Sequence, residues 1–127
     1  MKGKIKERYV PTVMIVDDDR TTVGLLRTLL ELDGFEVAVA PDSNAALDRA
    51  REVQPDAFLV DFHLADCDGT DLVRDLRAES AFAHTPIIMA SGAERKAEAL
   101  GAGANYFLVK PFDPDDLVAV LKRLLHE

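Results

Sequence analysis

The sequence predicts an α/β protein in which a parallel five-stranded sheet lies between layers of helices. Three observations predict it. Short apolar runs suited to strands alternate five times with stretches of helical spacing, the order that builds a parallel sheet through crossover connections. The first, third and fourth runs are apolar without interruption, as strands buried on both faces must be. At 127 residues, 48% hydrophobic and 30% charged, the chain is long enough for one domain with a sizeable core.

In chain order the strand runs are residues 12–16, 35–40, 57–60, 86–90 and 106–109. Behind the first run, Val23, Leu26, Leu29 and Leu30 share one helical face, and Gly34 stands where a helix C-terminus favours glycine. The second run alternates around Glu36, as an edge strand does. The helical stretch after it opens at Ser43 as N-cap, presents Ala46, Leu47, Ala50 and Val53, and stops at Gln54-Pro55. A third stretch carries Leu72, Val73 and Leu76, and a fourth is a short Ala-rich piece over 94–100. The "YFLV" run between the fourth and fifth helical stretches is apolar throughout, so pattern alone does not assign the other sheet edge. The fifth stretch has Asp113 as N-cap and Pro114 at its first helical position. Its broad apolar face (Leu117, Val118, Val120, Leu121, Leu124, Leu125) reads mostly as core, with room for a partner surface.

A formal net charge of −8 argues against nucleic acid as a direct partner. The basic start, Lys2, Lys4, Lys6 and Arg8, reads as a solvated terminus. The expected organisation is therefore a flexible segment over 1–10 followed by one domain over 11–127. Cys67 has no cysteine to pair with, and no apolar run reaches the length of a signal sequence or a membrane span. A cytoplasmic protein with no membrane contact is the expectation. Cys67, beside two aspartates, reads as incidental.

Ligands of a parallel sheet bind outside the carboxyl ends of its strands, so the residues there are the informative ones. Asp17, Asp18 and Asp19 follow the first run, Asp61 the third, Ser91 and Gly92 the fourth, and Lys110-Pro111 the fifth. Carboxylates without histidine or cysteine partners suit a hard cation such as Mg²⁺ or Mn²⁺, which would also relieve their mutual repulsion. A carboxylate beside such an ion is a nucleophile toward phosphorus, with a lysine and a hydroxyl to stabilise the transferred oxygens. The set points to metal-dependent phosphoryl transfer to an aspartate.

"IVDDD", "LVDFHLADCDG", "IIMASG" and "LVKPF" together resemble, in order, the four blocks of the response-regulator receiver domain of two-component signalling, over residues 12–125. The resemblance implies the flavodoxin-like strand order 2-1-3-4-5. It implies Asp61 as phosphoacceptor, Asp18 as direct metal ligand, and Asp17 as a ligand acting mainly through water. The His63 carbonyl would complete the metal set, while the amides of His63 and Gly92 would contact phosphoryl oxygens. Ser91 would follow the phosphoryl group with its hydroxyl, Lys110 would bridge to it, Phe107 would be the switch aromatic, and Pro111 would follow a cis bond. The implied partners are a histidine kinase or histidine phosphotransfer protein and an output protein, with a homodimer as a further contact. Ala65 stands where the family commonly has proline, which implies a looser loop after Asp61. The stretch from Ser91 to Lys110 is about one helical turn (~3.6 residues) shorter than is usual in the family, implying a shortened or displaced fourth helix.

Plainer roles remain for several residues. Asp19 reads as a helix N-cap, Asp68-Gly69 as a turn with glycine at positive φ, and the His63 side chain as solvent-facing. His84 and His126 have no partner at useful spacing. Two alternatives stand beside the receiver reading. "DDDRT" also fits a haloacid-dehalogenase-like phosphatase with Asp17 as nucleophile, Asp19 as general acid, and Ser91 and Lys110 in support. That reading leaves Asp61 without a task. The other is a receiver-like binding module that takes no phosphate.

Overall fold

The computed structural model describes residues 9–125. Of the expected free segment, residues 1–8 lie outside the described residues, as does His126. Five strands, β1 (Thr12–Val16), β2 (Glu36–Ala40), β3 (Ala57–Asp61), β4 (Ile87–Ser91) and β5 (Tyr106–Val109), alternate with five helices. The helices are α1 (Arg20–Leu32), α2 (Ser43–Val53), α3 (Gly69–Ala78), α4 (Lys96–Ala102) and α5 (Pro114–Leu125), and a 3-10 turn at Ser80–Phe82 follows α3. All strands are parallel, in the order β2-β1-β3-β4-β5. This is the flavodoxin-like arrangement, with β2 and β5 as edges. Among the described residues no helix is long and apolar enough to cross a membrane.

Strand alternation divides the core in two. Val13, Ile15, Leu59 and Ile88 face α1 and α5, which bury Val23, Leu26, Leu30, Leu117 and Leu121 against them. Met14, Val16, Phe58, Val60 and Met89 face the other way, toward Ala46 and Ala50 of α2, Leu72 and Leu76 of α3 and Ala99 of α4. The small residues of α2 and α4 bring those helices close to the sheet. Helix α1 ends as Gly34 implied. Its φ is +94°, Phe35 N–H donates to Leu30 O at 3.0 Å and Gly34 N–H to Glu31 O at 3.2 Å, which closes the helix with two bonds to its last carbonyls.

The structure moves several expected boundaries. Asp61 and Ser91 are the last residues of their strands, because Phe62 N–H still donates to Ala90 O (2.8 Å) and Lys110 N–H to Ser91 O (2.7 Å). Phe35 belongs to the turn after α1, and β2 begins at Glu36. The N-cap of α2 is Asp42, whose carboxylate accepts from Ala45 N–H at 2.9 Å, and not Ser43, which is the first helical residue. Helix α4 has seven residues and starts at Lys96, two later than expected. Gly69 has no positive φ. It is the first residue of α3, and a Cβ there would lie 2.2 Å from the Asp61 carbonyl oxygen. Glycine is required by close approach to the strand rather than by a turn.

At the amino ends of β4 and β5, one arginine joins several segments. Arg77, on α3, donates to Gly103 O (3.0 Å), Phe82 O (2.7 Å), Thr85 O (2.8 Å) and Asn105 Oδ1 (2.8 Å). The same Asn105 oxygen accepts from Ile87 N–H at 2.8 Å, and Asn105 N–H donates to Ile87 O at 2.7 Å.

Candidate functional site

The sheet order changes direction at β1, with β2 on one side and β3 on the other, so the carboxyl ends of β1 and β3 form the crevice where such sheets bind ligands. Asp17 and Asp18 leave the end of β1 and Asp61 ends β3. One carboxylate oxygen from each lies within 4.8 Å of the others. Asp17 is buried, Asp61 partly buried and Asp18 exposed. Lys110, just beyond β5, reaches across with its ammonium, 3.1 Å from Asp61 Oδ1 and 3.2 Å from Asp17 Oδ2. The Lys110-Pro111 bond is cis, as expected.

The charges set each other's behaviour. Burial pushes the Asp61 carboxyl above its ordinary range; Lys110 and the His63 amide pull it back, while the charge of Asp17 adds to the rise. Burial pulls Lys110 down, but its bond to Asp61 and the charges of Asp17 and Asp61 outweigh that and hold it raised. Lys110 therefore stays an ammonium. Three carboxylates against one ammonium leave the cluster at a formal charge of −2. One divalent cation would neutralise it, and the donors are all hard oxygens. The exposed side at Asp18 leaves space for the water ligands that Mg²⁺ retains. The residues present fit such an ion.

Asp19 is placed beside the cluster, but its carboxylate is engaged as the N-cap of α1. It accepts from Thr21 N–H (3.2 Å), Thr22 N–H (3.5 Å) and the Thr22 hydroxyl (2.7 Å). These bonds, led by the Thr22 hydroxyl, lower its pKa. A carboxylate so held is poorly suited to act as the general acid of the phosphatase alternative. Ser91 is fully buried and its oxygen accepts from Ala93 N–H at 3.1 Å. Gly92 is exposed next to it. Phe107 is half-buried against the α2–α3–α4 side of the core and pairs in register with Met89. It therefore lies on the same sheet face as Ser91, one strand over and diagonal to it. His63 is exposed, with its ring edge-on to Phe62 at 5.1 Å, so its side chain faces solvent as expected. Burial raises the Cys67 thiol pKa, which leaves it without reactive character.

Two features next to the site have no local sequence signal. The Arg95 guanidinium stacks over the Phe62 ring at 4.7 Å while pairing with Glu98. Asp66, in the loop after β3, bonds to the start of α2. The Arg95–Phe62 and Asp66–α2 contacts each join distant parts of the chain.

The acidic crevice at the switch point of this sheet, with a lysine aimed into it, resembles a phosphoacceptor site. Residues 13–122 match the family model of the response regulator receiver domain. The chain is 40% identical over 116 residues to the transcriptional regulatory protein PrrA of Mycobacterium tuberculosis, an alignment covering 91% of this chain and 50% of that protein. It is 35% identical to the DNA-binding response regulator MtrA of Mycobacterium leprae, covering 89% and 50%. The chain thus spans about half the length of these curated relatives. Among solved structures it superposes on the chemotaxis response regulator CheY4 of Vibrio cholerae with a TM-score of 0.87, at 32% identity, covering 92% of this chain and all of that one. A Francisella response regulator receiver domain gives a TM-score of 0.85 at 29% identity, covering 91% and 97%. The chain belongs to the response-regulator receiver domain family, whose members are signalling switches of two-component systems.

Proposed function

We propose that this domain accepts a phosphoryl group on Asp61 from the phosphohistidine of a histidine kinase or histidine phosphotransfer protein, and that it catalyses both this transfer and its own dephosphorylation. The convergence of Asp17, Asp18 and Asp61 within 4.8 Å, beside the Lys110 ammonium, carries the reading. Asp17, Asp18, Asp61 and the His63 carbonyl would hold Mg²⁺ or Mn²⁺. Bound there, the ion would neutralise charge on the phosphoryl oxygens and their carboxylate neighbours.

The chain's own residues do the rest. An Asp61 oxygen attacks phosphorus opposite the leaving imidazole nitrogen; the O–P bond forms as the P–N bond breaks, and the imidazole takes a proton from solvent. Lys110 leaves the Asp61 carboxylate for a phosphoryl oxygen. Ser91 turns its hydroxyl toward another, and the amides of His63 and Gly92 complete the oxygen contacts. Burial of Asp61 and Asp17 keeps these contacts in a medium where they are strong.

Intact mass after incubation with Mg²⁺ and acetyl phosphate tests the reading. One phosphoryl increment is expected, absent in EDTA and absent in Asp61→Asn. An increment that survives Asp61→Asn overturns it, and label on Asp17 favours the phosphatase alternative. For the protein donor we assign the apolar groove between α1 and the segment after β5. It opens beside Lys110 and is walled by Leu25, Leu26, Phe112 and Pro114, with Leu25 59% exposed. A phosphohistidine reaching Asp61 must bring its own protein to this rim. Leu25→Asp is expected to slow transfer from a histidine donor while leaving acetyl phosphate labelling unchanged; equal slowing of both overturns the assignment.

A further inference from the structure

The loop from Phe62 to Asp68 joins the strand that ends in Asp61 to α3, and it carries the His63 backbone. It contains no proline, so no ring stiffens it. Its internal hydrogen bonds are local: Leu64 N–H donates to Cys67 O at 3.1 Å, and the Cys67 thiol to Asp68 O at 3.2 Å. Among the described residues, apart from the contact of the His63 amide with the Asp61 carboxylate itself, the hydrogen bonds that tie positions 63–67 to another element end on one side chain, Asp66. Its Oδ1 accepts from Ser43 N–H at 3.2 Å, and its Oδ2 accepts from the Ser43 hydroxyl at 2.6 Å and from Asn44 N–H at 3.3 Å.

The two backbone donors belong to the first turn of α2, where a helix leaves its N–H groups unpaired and favours negative charge. Helix α2 already has a cap of its own, the Asp42 carboxylate on Ala45 N–H. Two carboxylates therefore serve one helix start. Asp42 is local, whereas Asp66 comes from 23 residues along the chain for Ser43 and 22 for Asn44. As a helix cap Asp66 is a second one; as the hydrogen-bonded tether of the loop to α2 it acts beside the burial of Leu64 in the core. The Leu64–Cys67 turn links the tether point to His63, so displacement at Asp66 passes to the backbone beside Asp61.

We propose that Asp66 is a positioning residue for the phosphoryl reaction: by fastening the loop to the first turn of α2 it holds the His63 backbone in place over Asp61. The proposal rests on the reading of Asp61 as phosphoacceptor. It also makes the start of α2, which among the described residues makes no hydrogen bond to the acidic cluster, a part of what sets the reaction rate. Displacing a contact by about 1 Å costs up to ~100-fold in rate, and freeing a loop that keeps its local turn is expected to cost about tenfold.

The test compares Asp66→Ala with Asp42→Ala, each measured by melting temperature and by the rate of labelling with acetyl phosphate and Mg²⁺. Both remove a carboxylate from the same helix start and should lower the melting temperature to a similar degree. Only Asp66→Ala should slow labelling, by about tenfold, and weaken the melting shift produced by Mg²⁺. Asp66→Asn keeps an oxygen for only one of the two amides and should recover part of the rate; Ser43→Ala, which removes only the hydroxyl donor, should slow labelling less than Asp66→Ala. Should Asp66→Ala not fold, Ser43→Ala against Asp42→Ala gives the same comparison. Labelling of Asp66→Ala at the wild-type rate overturns the proposal, as does equal slowing by Asp42→Ala, because the rate would then follow helix stability. A wild-type protein that takes no label overturns the Asp61 reading itself, a failure visible before any variant is made.

Discussion

Replacing Asp18 by asparagine removes one charge from the acidic cluster and leaves the shape of an exposed side chain unchanged. The carboxylate oxygens of Asp17, Asp18 and Asp61 lie within 4.8 Å of one another. Two unit charges at that separation repel by about 3.5 kcal/mol at an effective dielectric of 20 and by about 0.9 kcal/mol in bulk water. Exposure puts Asp18 near the lower figure for each neighbour, and the Lys110 ammonium offsets part of it. In EDTA the variant should therefore be more stable by about 1 kcal/mol, or about 4 °C in melting temperature. With Mg²⁺ at about 100 times its Kd, the wild type gains about 2.7 kcal/mol by binding in the native state alone. Loss of a direct ligand that weakens binding about 100-fold leaves the variant only about 0.4 kcal/mol from the same relation. The order of stabilities should invert, with the variant above wild type in EDTA and below it in Mg²⁺ by about 1 kcal/mol. Thermal unfolding at matched ionic strength reads both arms, which keeps screening out of the comparison. An Mg²⁺ shift in Asp18→Asn equal to that of wild type removes Asp18 from the metal site. Equal stability in EDTA would show that repulsion in the cluster is already relieved by water.

Asp61 gives a pH signature. Its folded pKa is raised, chiefly by burial, so stability is lost as the pH rises from the unfolded value of about 3.9 through the folded pKa, and the cost is complete and constant above it. In EDTA the advantage of Asp61→Asn over wild type should grow as the pH rises from about 4 through the raised folded pKa and then level off; a gap in urea midpoint no larger at about pH 7 than at about pH 4 refutes this. Gly69→Ala would place its Cβ 2.2 Å from the Asp61 carbonyl oxygen, so the start of α3 must move, lowering stability by about 1–3 kcal/mol and slowing labelling; wild-type behaviour in both would mean that the strand end yields freely. Beryllofluoride, a phosphoryl mimic, should shift NMR signals of Ser91, Gly92 and Phe107, and the Phe107 shift should shrink in Ser91→Ala. If Phe107 stays unmoved while signals around Asp61 respond, the route from Ser91 to Phe107 is wrong.

Much of the site was legible because it lies where the chain changes character, from an apolar strand to a polar or charged residue. Asp17, Asp61, Ser91 and Lys110 each stand at such a junction, and parallel topology brings the junctions together without further information. The strand limits missed by one residue at Asp61 and Ser91 because pairing with a neighbour, not polarity, sets where a strand ends. Ser43 was misread as a cap because its hydroxyl serves Asp66 from another loop, a partner that no local pattern encodes. Gly69 carried a turn signal after aspartate, yet its cause is the carbonyl of Asp61 beneath it. The Arg77 cluster left no trace in sequence, since three of its four acceptors are backbone carbonyls, which every residue supplies. The short fourth helix was legible as an Ala-rich piece, but not its later start at Lys96.

Arg77 gives β4 and β5 a fixed fulcrum. Its guanidinium and the Asn105 side chain lock the amino ends of both strands to α3, while Ser91 and Lys110 occupy the far ends. Motion driven from the rim should thereby be confined to the far half of each strand, like a reed clamped at its base. The amides of Ile87 and Asn105 should exchange with deuterated solvent only through global opening, and that slow pair offers an internal clock against which movement at the other end of the same two strands is timed.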